Sequence, residues 1–312
     1  MNKTVHYTII IPVYFNKDTV QFTLEKIKNE VVLKNPSRSC EIIFIDDGSG
    51  DNSFEEMVKL KNSNPDLVKL IKFTRNFGQT QAILAGYKYA TGECIINISA
   101  DLQDPPDLIN QMLDSFFNEG FEVVICNRQD RDEPLFRRVT SKIFYILMKK
   151  LSFADMPSGG FDFILLSNHI AKFISDSREA NPFLQGQILW TGYKKKFIPY
   201  KRLNRPFGKS KWTFGKKLKY LLDGVLGYSY FPLRIMSIAG IATALLGFMY
   251  ALVIAYERIF DNVPFQGWAP IMILILVLSG LQMTMLGIIG EYLWRTLDQV
   301  RNRELYIVEK IT

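Results

Sequence analysis

Short runs of β-branched and other apolar residues alternate with helix-period stretches through the amino-terminal part of the chain. Strands are predicted near Thr8–Val13, Glu41–Asp46, Leu67–Phe73, Cys94–Ser99 and Val123–Asn127, and helices near Thr19–Lys34, Phe54–Lys61, Gln79–Ala90 and Leu108–Asn118. That alternation is the signature of an α/β fold, a mostly parallel sheet crossed by helices, with the ligand beyond the carboxyl ends of the strands. The pattern then changes. Leu135–Leu151 and Trp212–Tyr230 place apolar residues at helical spacing beside clustered lysines and arginines, as helices lying in the plane of a membrane surface do; ordinary surface helices are the other reading. Ile235–Tyr256 and Pro270–Gly290 carry no charged side chain. At 1.5 Å per residue, about 20 such residues cross a hydrocarbon layer ~30 Å thick, which predicts a two-helix transmembrane hairpin.

Charge gives the hairpin a direction. The chain has 38 basic and 31 acidic residues, a net +7, with 48% hydrophobic and 13% aromatic residues. These totals exclude a disordered tail or a disulfide-stapled miniprotein. Lysines and arginines crowd Lys194–Arg234, where Asp223 is the single acid, and Arg295, Arg301 and Arg303 follow the second span, so the positive-inside rule predicts both termini in the cytoplasm. Thr8–Val13 is too short for a secretory signal, and the expectation is a multi-pass membrane protein with its amino-terminal domain in the cytoplasm. Cys40, Cys94 and Cys126 have no CxxC spacing and read as buried thiols in a reducing compartment. His6 and His169 belong to no motif, and no nucleic-acid partner is expected.

Candidate chemistry gathers at the predicted strand ends. IPVYFN (11–16) follows the first strand and DDGSGDNS (46–53) the second. A strand-end Asp can accept hydrogen bonds from a base or ribose, but the same run also reads as a plain turn with a helix cap at Asp51 or Ser53. Arg75 stands at the end of the third strand, placed for a phosphate or a surface ion pair. The fourth strand runs into SADLQDPP (99–106), where Asp101, Gln103 and Asp104 lie on a short loop closed by two prolines. Hard oxygen ligands on such a loop suit Mg²⁺ or Mn²⁺ and a nucleotide diphosphate.

Together with RNFGQTQAILAGY (75–87), GKSKWT (208–213) and GEYLWRTLDQVRNRELYIVEK (290–310), these motifs resemble the polyprenyl-phosphate glycosyltransferases of GT-A type, a group including dolichyl-phosphate mannose synthases and bactoprenol glucosyltransferases. The likeness runs through nearly the whole chain. It implies a GT-A, Rossmann-like core over residues 1–133, an acceptor-side region over 134–234 with two in-plane helices, membrane spans within 235–290 and a cytoplasmic tail over 291–312. It implies transfer of one sugar, with UDP-glucose the first donor expected, to polyprenyl (undecaprenyl) phosphate with inversion. Pro12, Tyr14, Asp46, Asp47, Arg75 and Gln79 would meet the nucleotide, and Asp101 and Gln103 would hold the metal. Ser99 stands where the family commonly has the first Asp of Asp-x-Asp and would reach the metal through water. Asp162, in SGGFDF, matches the acid that points at the reaction centre; its other reading is a strand-edge carboxylate satisfied by backbone amides. Arg128, Arg131, Arg138, Arg202, Arg205, Ser210 and Lys211 would grip acceptor and donor phosphates. Membrane lipids and a homo-oligomer, a tetramer by likeness, are the remaining expected partners. Two rivals stay open. A processive polysaccharide synthase is only partly matched by QILW (187–190), and a catalytically silent membrane scaffold would draw support from Ser99.

Overall fold

The computed structural model describes residues 5–128, 160–203, 223–260 and 268–312, together with 146, 149, 153 and 155–157. Arg131, Arg138, Arg205, Ser210 and Lys211 lie outside the described residues, as does most of the two amphipathic stretches. The chain divides into two compact units, residues 1–224 with 303–312, and residues 225–302.

The first unit is a sheet with helices. In chain order it contains β1 (Tyr7–Val13), α1 (Val20–Ile27) continued by a π-helical turn (Lys28–Val32), β2 (Cys40–Asp46), α2 (Ser53–Ser63), β3 (Val68–Phe73), α3 (Gln79–Tyr89), β4 (Cys94–Asn97), α4 (Leu108–Phe117) and β5 (Val123–Arg128). Then come β6 (Phe163–Ser167), α5 (Asn168–Asp176), α6 (Leu184–Trp190) and β7 (Lys195–Tyr200). The strand order is β7-β5-β6-β4-β1-β2-β3-β8, where β8 (Val308–Ile311) comes from the far end of the chain. Every strand and helix predicted before residue 128 is present, within a few residues of its expected bounds. Pairing is parallel for β1–β2, β1–β4, β2–β3 and β5–β7, while β6 and β8 run antiparallel to their neighbours.

Strand β1 lies mid-sheet with both faces covered, so its residues are apolar in succession rather than alternating, and Tyr7, Ile9, Ile10, Ile11 and Val13 are wholly buried. Its proline is tolerated for a geometric reason. Ile10 accepts from the Ile98 amide, and alternate residues face the same neighbour, so Pro12 faces β4 beyond the last paired residue, where a missing N–H breaks no ladder bond.

At the opposite end of the sheet, a buried carboxylate ties three strands together. Glu41 of β2 accepts from the Thr8 hydroxyl of β1 (2.6 Å) and from the Thr91 amide (2.5 Å) and hydroxyl (2.8 Å), and it pairs with Lys69 of β3. Burial alone would raise its pKa, but the bonds from Lys69, Thr8 and Thr91 outweigh burial and leave it lowered.

The second unit carries two long helices, α7 (Phe231–Phe260) and α8 (Trp268–Arg301). Phe231–Ile254 and Leu274–Arg301 are long and apolar enough to cross a membrane. A Cβ added at Gly240 would lie 3.6 Å from Met285, whereas one at Gly247, Gly280, Gly287 or Gly290 would meet nothing within 4 Å among the described residues.

Glu41→Gln is expected to cost about 1–3 kcal/mol of stability by weakening charge-assisted bonds in a buried site. A depressed folded pKa stabilises above the ordinary carboxylate range and loses its effect as pH falls through the folded value, so the gap between wild type and variant should close on acidification. Thermal melts of the full chain in detergent at neutral and acid pH measure both.

Candidate active site

The carboxyl ends of β1, β2 and β3 build one side of the site. The two acids ending β2 divide their tasks. Asp47, buried, accepts from the Phe77 amide (2.7 Å), the Gly78 amide (2.9 Å) and the Asn76 side chain (2.9 Å), so its carboxylate holds the loop after β3 in place. Asp47, expected at the nucleotide, shapes the backbone of that loop through these bonds. Asp46, wholly buried, accepts from the Ser49 amide with Oδ1 (3.1 Å), while Oδ2 is buried with no hydrogen-bond partner among the described residues. Burial raises its pKa, because a buried carboxylate's charge is poorly solvated. Gly48 has φ +70°, and a Cβ there would lie 2.6 Å from the Asn76 nitrogen, so only glycine lets the β2 turn pass beneath the β3 loop.

Around them, Pro12 and Tyr14 are half-buried at the end of β1, with the Tyr14 ring edge-on to Phe15. Gln79 is exposed at the start of α3. Arg75 is exposed, its guanidinium 4.1 Å from the centre of the Phe77 ring. Asp51 accepts from the Ser53 amide and hydroxyl just ahead of α2, whose N-cap is Asn52 and carries no side-chain cap bond.

The other side is a continuous polar frame. Ser99 Oγ lies 2.7 Å from Asp101 Oδ1 and 2.9 Å from Asp104 Oδ2, so one hydroxyl proton is shared between two carboxylates. The other oxygen of Asp104 accepts from the Tyr200 hydroxyl at 2.5 Å, and Tyr200 in turn accepts from Arg128 Nε at 3.2 Å. Arg128 Nη2 donates to Asp162 Oδ2 at 2.9 Å, and Gln185 Nε2, 3.3 Å from Asp162 Oδ1, also donates to the Phe161 carbonyl at 2.6 Å. Burial, reinforced by Asp104, drives the Tyr200 pKa upward, so the phenol keeps its proton and donates. Asp104 is 1% exposed, and Arg202 Nε is 3.9 Å from it. The loop pays for this arrangement at Leu102, a buried non-glycine residue with φ 55°. Gln103 is tied to the residues after β7 by the Leu203 amide on its carbonyl (2.8 Å) and by its own Nε2 on the Leu203 carbonyl (3.2 Å).

The structure thus brings Ser99, Asp101, Gln103, Arg128, Asp162 and Arg202 together. Asp162 is held by an arginine and a glutamine side chain rather than by backbone amides alone. Asp104, read with Asp101 and Gln103 as a hard oxygen on the loop, is buried between the Ser99 and Tyr200 hydroxyls. Two members of the frame escape sequence reading. Gln185 has no motif. Tyr200 is signalled only by the alternating burial of Phe197–Tyr200.

Among the described residues no three His, Cys, Asp or Glu side chains converge as a metal cage. The donor set still fits a hard divalent cation. Asp101 is a half-buried carboxylate beside the Gln103 amide and the Ser99 hydroxyl, and Mg²⁺ sites commonly use one or two carboxylates completed by water and substrate phosphates.

The sequence profile of Glycosyl transferase family 2 matches residues 8–173. An uncharacterized glycosyltransferase of Bacillus subtilis is 36% identical across 99% of this chain and 95% of its own. The bactoprenol glucosyl transferase of Shigella phage SfII is 32% identical, with 97% of each chain covered. Among solved structures, mannosyl-3-phosphoglycerate synthase from Rubrobacter xylanophilus covers 76% of this chain and 75% of its own at 14% identity, with a TM-score of 0.47. The match spans more than half of the chain, from β1 into α5, and the full-length relatives agree with it: this chain is a glycosyltransferase of Glycosyl transferase family 2.

Proposed function

We propose that the protein transfers one sugar from a nucleoside diphosphate donor, UDP-glucose first among candidates, to a polyprenyl phosphate at the cytoplasmic face of a membrane, inverting the anomeric carbon. The observation that carries this reading is the frame from Asp101 through Ser99, Asp104, Tyr200 and Arg128 to Asp162, which fixes the donor-side loop and the acceptor-side acid in one hydrogen-bonded body. Relatives named bactoprenol glucosyl transferases support the acceptor. Two helices whose large apolar side chains stand exposed, among them Ile238, Leu246 and Leu276, support a lipid setting, since water is a poor solvent for such a surface.

The acceptor needs no strong base. A phosphate monoester has a second pKa near ~6 and is largely dianionic at neutrality. Its oxygen forms the bond to the anomeric carbon from the side opposite the leaving group, and the donor's C–O bond breaks to release the nucleoside diphosphate. Asp162, fixed by Arg128 and Gln185, orients sugar or acceptor hydroxyls, while Arg75 and Arg202 offset the repulsion between two anionic reactants. Asp46 Oδ2 offers an acceptor to the base or ribose, and Pro12, Tyr14 and Gln79 complete that wall. A divalent cation held by Asp101, with Gln103 and Ser99 beside it, would neutralise charge on the departing diphosphate.

Incubation of the full chain in vesicles with radiolabelled UDP-glucose and undecaprenyl phosphate is expected to give a single-sugar lipid, and a polymer or no lipid product with any of a panel of nucleotide sugars would sink the reading. Asp101→Asn should lower turnover by about 10²-fold or more, and a chelator should abolish activity until Mg²⁺ or Mn²⁺ is restored. Tyr200→Phe removes the bond to Asp104 and the acceptor for Arg128. It should cost about 1–3 kcal/mol of stability and lower kcat about tenfold, read by melting and by initial rates.

A further inference from the structure

The segment LYIVEK, which follows α8, has no part in the chemistry above, yet the structure sets it against the donor-side loop. The loop Arg75–Gly78 is gripped by Asp47 on one side. On the other, aromatic rings form a chain. Tyr306 stacks on Phe73 with centroids 5.1 Å apart and planes 13° from parallel, Phe73 meets Phe77 edge to face at 5.7 Å, and the Arg75 guanidinium lies over Phe77 at 4.1 Å. Phe73 is 1% exposed, so its ring is fixed and transmits position. The backbone enforces the same register. The Thr74 amide, next to Arg75, donates to the Ile307 carbonyl at 3.2 Å, and the β3–β8 ladder shifts register between Lys72 and Phe73, a bulge of the kind that re-aims side chains.

We propose that Tyr306 is a positioning residue for nucleotide binding, fixing Arg75 for the donor diphosphate through Phe73 and Phe77. The inference rests on the donor-site reading above and adds to it that the strand beyond α8 sets donor affinity. Tyr306 touches no substrate. A strand that merely covered the β3 edge would stabilise the fold without favouring one ligand, whereas a ring chain ending on Arg75 acts on the nucleotide.

The test is calorimetric titration of UDP, with Mn²⁺ present, into the full chain in detergent. Tyr306→Leu keeps apolar bulk but loses the ring, and should weaken UDP binding about 2- to 10-fold. Tyr306→Phe should bind as wild type. Glu309→Gln, which removes only the β8 ion pair with Lys72, should do the same. Phe77→Leu breaks the chain at its last ring before Arg75 without touching β8 and should weaken UDP like Tyr306→Leu, so the test survives if the latter fails to fold. Unchanged UDP affinity in Phe77→Leu or in a folded Tyr306→Leu, while Arg75→Ala weakens it, overturns the proposal and leaves the donor site standing. An equal loss in Glu309→Gln overturns it as a general effect of the strand. Unchanged affinity in Arg75→Ala removes the donor-site reading and the proposal with it.

Discussion

A desolvated carboxylate governs the site. Asp104 is all but excluded from water, and a buried charge is tolerated only when its lone pairs are filled with good geometry. Here two hydroxyls, from Ser99 and Tyr200, meet its two oxygens, and among the described residues the nearest guanidinium, that of Arg202, stands off at 3.9 Å. This requirement explains why the loop accepts a left-handed Leu102, why two prolines come next, and why a tyrosine from the distant β7 points inward. Satisfying Asp104 fixes Ser99 and Tyr200, and these fix Asp101 and Arg128 in turn. The geometry of the frame follows from satisfying one buried carboxylate without water.

The serine at position 99 obeys the same requirement. Where the family commonly carries a carboxylate, a third acid beside Asp101 and Asp104 would need its own counter-charge. A hydroxyl instead reaches both neighbours and adds no third charge beside them. Its direct partners are these two carboxylates.

Much of the fold is legible in the chain. The alternation that ends at Arg128 predicts five strands and four helices because each has its own period and its own punctuation. Beyond residue 128 the pattern is weaker. FILLS (163–167) is a short apolar run without alternation that starts on the last residue of SGGFDF, so β6 carries no period of its own, and β7 alternates over too few residues. β8 hides in an apparent tail, because four residues carry little pattern and their partner lies more than two hundred positions earlier. The acids at 46 and 47 show the limit for sites. Both sit at a strand end with the same chemistry, and only the fold reveals that one faces the loop amides while the other keeps an unfilled oxygen.

The late arrival of β8 has a consequence for biogenesis. The outer edge of β3 must wait until both apolar helices have been synthesised before its partner strand exists. At typical elongation rates that delay is on the order of tens of seconds. An unpaired edge is a template for association with other chains, and lysine is a common deterrent. β3 carries two, Lys69 and Lys72, and in the finished fold each has a glutamate partner, Glu41 and Glu309 respectively. The charges that hold the sheet together at the end would thus keep it from the wrong company while it is being made.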